Sequence, residues 1–210
     1  MTDSAQQHGN AIDERIENTL AGLMFFGWGV MRLTACEAID RWTVPQLVPV
    51  VIHVVVGILF LTRRSSLLRA DNLTLACCLP SFIAGGMAMK LAPDSHLWSV
   101  LAQAVFAIGG LGTTVGLISL GKSFAVFPAL RTIVTGGPFK LIRHPIYFSE
   151  LLMILGCCLA MASAWRWPIL AFAIATIVVR IIWEERVLSN SQAYLDFCQK
   201  VRWRLVPGLW

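Results

Sequence analysis

The stretch Gly136 to Leu152, GGPFKLIRHPIYFSELL, runs from a basic turn straight into an apolar segment. Pro145 has no N–H to leave unpaired and its fixed φ suits the first helical position, so the junction predicts a helix beginning there with His144 at its N-cap. Similar greasy runs recur along the chain. They lie near Leu20 to Ala38, Pro45 to Leu61, Leu73 to Leu91, Leu97 to Leu120, Ile146 to Ala164 and Pro168 to Trp183. Crossing about 30 Å of hydrocarbon takes roughly 20 residues at about 1.5 Å each, so each run is a candidate membrane helix.

Composition points the same way. The chain is 57% hydrophobic and 14% charged, with a mean hydropathy of +0.69, whereas soluble domains are about a quarter charged. The expected fold is all-α: a polytopic membrane helix bundle of about six transmembrane helices. Residues 1–19 form a polar N-terminal segment with Asp3, Asp13, Glu14 and Glu17 and no basic n-region, so a signal peptide is not expected. Four helices follow over residues 20–120. Residues 121–210 hold the last two helices and an amphiphilic C-terminal segment whose aromatic and basic residues suit the interface.

Basic residues set the expected orientation, because cytoplasmic loops are enriched in Lys and Arg. Twelve fall on the side of the termini: Arg15, Arg63, Arg64, Arg69, Lys122, Arg131, Lys140, Arg143, Arg186, Lys200, Arg202 and Arg204. Only Arg41, Lys90 and Arg166 fall on the other. Both termini are therefore expected in the cytoplasm, at the inner membrane if the source is bacterial. The net charge of +5 is absorbed by this topology, and no nucleic-acid partner is expected. Cys36, Cys77, Cys78, Cys157 and Cys158 sit in apolar runs and read as packing residues, without the spacing of a metal site.

Polar residues collect in two places on one side of the membrane. At the first, the helix N-terminus after His144, with Arg143 and Lys140 beside it, can seat a carboxylate or phosphate; the same cations also read as positive-inside anchors. The second is RIIWEER, Arg180 to Arg186, where Arg180 and Glu184 share a helix face and Glu185 lies about 100° away. A helix-end ion pair between Arg180 and Glu184 is the simpler reading, and a functional site the sharper one. The few residues "WRW" between the last two runs make those helices antiparallel neighbours, which brings the two polar stretches together. His53, Arg32 and Glu37 read as interior packing partners, and the glycines of Gly109 to Gly116 as close helix contacts.

These stretches resemble the C-terminal half of the isoprenylcysteine carboxyl methyltransferase and phospholipid methyltransferase group of integral membrane enzymes. The matching elements are Gly137, Pro138 and Phe139; Arg143, His144, Pro145 and Tyr147; Arg180, Glu184 and Glu185; Tyr194 and Phe197; and Pro207. Phe139 stands where the family usually has Tyr, and Ser149 where Gly is common. The resemblance implies S-adenosylmethionine as cofactor in a pocket at the cytoplasmic face. It assigns Gly137, Pro138, His144, Pro145, Tyr147, Glu184 and Glu185 to cofactor binding and places Arg143 and Arg180 near the reacting centre.

Methyl transfer from a sulfonium needs alignment and a dry site rather than a metal or a covalent nucleophile. Arg143 or Arg180 could orient a carboxylate, and Glu150, one turn from Tyr147, could take a proton from an amine or thiol. The expected partners are membrane lipids and a lipophilic acceptor from the bilayer, an isoprenylcysteine-like carboxylate, a phospholipid amine or a small thiol. The competing reading is a non-catalytic membrane protein that binds lipid or a partner through its basic loops.

Overall fold

The computed structural model describes residues 2–34 and 42–210, with side chains from residue 14 onward. Cys36, Glu37 and Arg41 lie outside the described residues, as do the side chains of Asp3 and Asp13. Among the described residues, seven α-helices run in the order α1 (Thr2–Thr34), α2 (Val44–Thr62), α3 (Asn72–Leu91), α4 (Val100–Leu120), α5 (Pro145–Ala160), α6 (Arg166–Leu188) and α7 (Gln192–Lys200). The architecture is the expected all-α bundle. Four helices, α2, α3, α4 and α6, are long and apolar enough to cross a membrane. The apolar α5 is shorter, 16 residues, because the chain leaves the helix at Met161 rather than at Ala164. At the other end of the pair, α6 runs past Trp183 to Leu188, carrying Glu184 and Glu185 on its last turns.

Local sequence chemistry fixes the helix starts. The Asp71 side chain accepts the Thr74 N–H at 3.0 Å, and Ser99 Oγ accepts the Ala102 N–H at 3.2 Å, each satisfying an N–H that the first helical turn leaves unpaired. Pro145 opens α5 as its first residue. Before it, a 3-10 turn at Gly137–Lys140 begins with Gly137 at φ +58°, a left-handed conformation that glycine adopts without a Cβ penalty.

Packing around α4 sets the site. A Cβ at Gly109 would come within 2.7 Å of the backbone of Met153 and Ser149, and one at Gly116 within 2.6 Å of Ile146. The glycines thus let α4 and α5 approach backbone to backbone, the close contact that small residues allow where lipid supplies no hydrophobic drive between helices. Gly112 lies against Ser149, whose hydroxyl donates to the Pro145 carbonyl at 2.9 Å, so the serine is accommodated by a glycine on the facing helix. His53 stays within α2, its Nδ1 paired with the Pro49 carbonyl.

The opposite face of α4 is greasy and uncovered: Ile108, Leu111 and Ile118 are 60%, 67% and 60% exposed. Such a stripe on a chain with this hydropathy faces lipid, and the protein is a membrane protein. At one end, two loops are stitched together by a short antiparallel pairing of β1 (Leu68–Arg69) with β2 (Ala129–Leu130). Glu14 of α1 reaches the same place, accepting the Ser66 N–H at 3.1 Å and Arg131 Nη2 at 3.0 Å. The N-terminal end of α1, the loop after α2 and the loop after α4 therefore share one end of the bundle.

Candidate active site

Glu185 is the polar centre of that end. Its Oε1 accepts Arg143 Nη1 at 2.9 Å and Tyr194 Oη at 3.0 Å, and lies 3.1 Å from His144 Nε2; its Oε2 accepts Arg204 Nε at 2.8 Å. An ionised carboxylate only accepts, so the His144 proton facing it sits on Nε2. Four donors from the turn before α5, the α5 N-cap, α7 and the tail converge on one side chain. The tail is fixed further by backbone pairing, Arg143 N–H to the Trp203 carbonyl at 2.8 Å and His144 N–H to the Arg204 carbonyl at 2.9 Å.

Burial opposes charge on Arg143, yet Glu185, Cys198 and Tyr194 together outweigh it and raise the guanidinium pKa above its ordinary value. The remaining contacts of Arg143 are to Cys198 Sγ at 3.2 Å and the Arg202 carbonyl at 3.1 Å. Burial and the adjacent Glu185 push the Tyr194 phenol up, so it serves as a neutral donor. Tyr194 and Phe197 turn inward from α7 onto Phe139 and Val201. Phe139 is buried in this apolar cluster and also reaches the cavity wall described below.

Glu184 faces the other way. It accepts the Tyr147 hydroxyl, and Tyr147 in turn stacks on His144, with ring centroids 5.6 Å apart. The ion pair between Arg180 and Glu184 that the spacing allows is replaced by another arrangement. Arg180 donates to the Val126 carbonyl at 2.7 Å and to Ser81 Oγ at 3.2 Å, and its guanidinium lies over the rings of Phe82 and Tyr147 at 4.2 and 4.7 Å. Stacking on two rings and a forked pair of hydrogen bonds suit a planar cation and fix its orientation. Glu150 Oε2 is 3.9 Å from Arg180 Nη1, and its side chain is 34% exposed. That separation is too long for a hydrogen bond.

These side chains border one cavity of about 300 Å³ between α1, α2, α4, α5 and α6. Arg143, His144, Tyr147, Glu150, Arg180 and Glu184 stand on its wall, while the rest is largely apolar. Gly137, Pro138, Pro145 and Glu185 are set behind that wall, shaping the turn, the helix start and the polar centre. Buried Nε groups of Arg131, Arg143 and Arg180, and Nη1 of Arg131, find no acceptor among the described residues. Arg131, Tyr194 and Arg204 were not singled out as site residues by spacing, and only the Tyr-x-x-Phe step of the resemblance marked Tyr194.

The apolar bundle is that of a membrane protein, and its cavity carries charged side chains of both signs at one end. Residues 97–193 match the model of the phospholipid methyltransferase family, and this segment is similar to that family of membrane methyltransferases. The match takes in α4, α5, α6 and the first residues of α7, and leaves α1, α2 and α3 outside it. No curated protein matches the chain.

Proposed function

We propose that the chain is an S-adenosylmethionine-dependent methyltransferase whose lipophilic acceptor, an isoprenylcysteine-like carboxylate or a phospholipid amine, reaches the cavity from the bilayer, with both termini in the cytoplasm. One observation carries this reading: His144 and Tyr147 of α5 and Glu184 of α6, separated by about forty residues, meet on the wall of one cavity. The cavity suits such a cofactor. It offers orphaned guanidinium N–H groups for a carboxylate, the Glu184 carboxylate for an ammonium or hydroxyl, and aromatic faces for an apolar ring.

In this reading His144, Tyr147 and Glu184 hold the cofactor, which supplies an electrophilic methyl group when bound. Glu185 positions them, since its oxygens are already engaged by four donors. Gly137, Pro138 and Pro145 serve the same site by setting the turn and the α5 start. Arg180 and Arg143 face the acceptor from the cavity wall, and a rigid cation in a dry site orients an anionic nucleophile without reorganisation at the moment of reaction. Glu150 accepts the proton when the acceptor is an amine.

The test is label transfer. Full-length protein purified in detergent is incubated with methyl-labelled S-adenosylmethionine and a total lipid extract, and lipid products are separated. Label should enter a lipid fraction with wild type and not with Glu184→Gln. Equal labelling by the variant would remove Glu184 from the site, and folded protein that labels nothing across several extracts would favour a non-catalytic lipid binder.

A further inference from the structure

The same cavity has a third guanidinium, beside Arg143 and Arg180, that neither the family motif nor the proposed cofactor contacts employ. Arg131 follows β2, is 6% exposed, and stands on the wall on the side of α1 and α2. Its Nη2 is taken by Glu14 of α1 at 3.0 Å. Its Nε and Nη1, both buried, have no acceptor among the described residues. The cavity wall also carries Phe25 of α1, Ile52 and Val56 of α2 and Leu117 of α4, while on its other side Arg131 borders a second, polar cavity with Glu17, Arg63, Ser66 and Arg69. Buried guanidinium N–H groups left unpaired cost free energy unless a ligand oxygen satisfies them. A half-neutralised arginine at the head of a greasy slot is therefore complementary to an anionic oxygen borne on a hydrocarbon chain.

We infer that Arg131, held in place by Glu14, is a specificity-determining anchor for the anionic head of the lipid acceptor, whose chain occupies the apolar slot between α1, α2 and α4. This rests on the methyltransferase reading for the word acceptor, though not for the binding itself. The oxyanion is a carboxylate or a phosphate; both present planar or forked oxygens to a guanidinium. The slot also uses α1 and α2, which lie outside the family match, so this chain's own N-terminal helices shape the place where Arg131 would hold the head group. Glu14 touches Arg131 and not the ligand, and it partly neutralises the guanidinium rather than setting the head-group preference.

Direct binding separates this inference from the proposed activity. Radiolabelled probes in two matched pairs, oleate against oleyl alcohol and dioleoyl phosphatidic acid against dioleoylglycerol, are titrated onto full-length protein in non-ionic detergent. Wild type should prefer the anionic member of at least one pair by about 10-fold or more, the scale of one charge-assisted hydrogen bond. Preference in the first pair alone identifies a carboxylate head, in the second alone a phospholipid, and in both a shared oxyanion site. The double variant Glu14→Gln with Arg131→Gln, which leaves no buried charge unpaired, should lose the preference. Glu14→Gln alone should keep or strengthen it.

Two results overturn the assignment: no preference in either pair for wild type, or a preference undiminished in the double variant. Loss in Glu14→Gln alone would also overturn it, by assigning the effect to the ion pair. Binding of S-adenosylhomocysteine, the demethylated cofactor, is measured alongside on each variant. Retained cofactor binding shows an intact cavity, and its absence from wild type counts against the proposed reaction while the head-group comparison stands.

Discussion

Arg204 Nε donates to Glu185 Oε2 at 2.8 Å, so a residue of the C-terminal tail is wired into the last turns of α6. Removing residues 203–210 deletes that bond and also the two carbonyls that accept the Arg143 and His144 N–H groups. The truncated protein should keep most of its helical circular dichroism, because the membrane helices contact one another directly, although Leu205 is lost from their shared core. Its affinity for S-adenosylhomocysteine should fall about 10-fold or more, the cost of releasing one to two net hydrogen bonds that set His144. Unchanged affinity would show that the tail is not part of the site.

Glu185→Gln keeps the shape of the polar centre but strips the charge that Arg143 and Arg204 face. Leaving a buried charge without its partner costs about 3 to 5 kcal/mol. A lower value is expected here because Arg204 is 36% exposed at its side chain. Thermal unfolding in detergent should show a marked loss of stability for Glu185→Gln and little for Arg204→Ala, whose removal leaves Glu185 with its other three donors. Equal losses would mean that Glu185 does not organise the centre.

The ion pair of Glu14 with Arg131 carries a pH signature. Burial opposes the Glu14 charge, but bonds from Arg131 and Ser66 prevail and hold its pKa below the ordinary carboxylate value. A depressed native pKa contributes stability that is full above the unfolded value, about 4.3, and lost as pH falls through the native value. Glu14→Gln should therefore flatten the decline in unfolding temperature below about pH 4.3 while leaving the neutral-pH slope unchanged. An identical acid limb in both proteins would mean that Glu14 is unpaired in solution.

Arg180→Lys retains charge but loses the planar fork to Ser81 and Val126 and the stacking on Phe82 and Tyr147. Misplacing a positioning group by about 1 Å can cost about 100-fold in rate, so methylation at saturating cofactor should fall by that order, with cofactor affinity changing far less. Equal rates would remove Arg180 from the reacting centre; a parallel fall in both would move it to the cofactor.

Much of this was legible in the sequence. The hydropathy runs marked the helix positions, Pro145 marked the α5 start, and GGLGTTVG marked close helix packing, whose partners, α5 and α2, only the structure names. The short connection after α5 was enough to bring His144 and Tyr147 to Glu184 and Glu185. Partner choice was not legible where it is decided by distant segments. Spacing allowed Arg180 to pair with Glu184, but Ser81, Phe82 and the Val126 carbonyl arrive from α3 and the loop after α4 and take the guanidinium instead. Glu14 and Arg131 meet across 117 residues, and the two-residue strands that help bring their loops together are too short to leave a period in the sequence.

Calorimetric titration of S-adenosylhomocysteine into the full-length protein decides whether the cavity walled by His144, Tyr147 and Glu184 is a cofactor site. Wild type should bind one equivalent, and Glu184→Gln and His144→Ala should each weaken binding by about 10-fold or more, as expected for losing a hydrogen bond to a charged group or an aromatic support. Tight binding indifferent to both substitutions, or no binding by protein shown to be folded, would contradict the assignment.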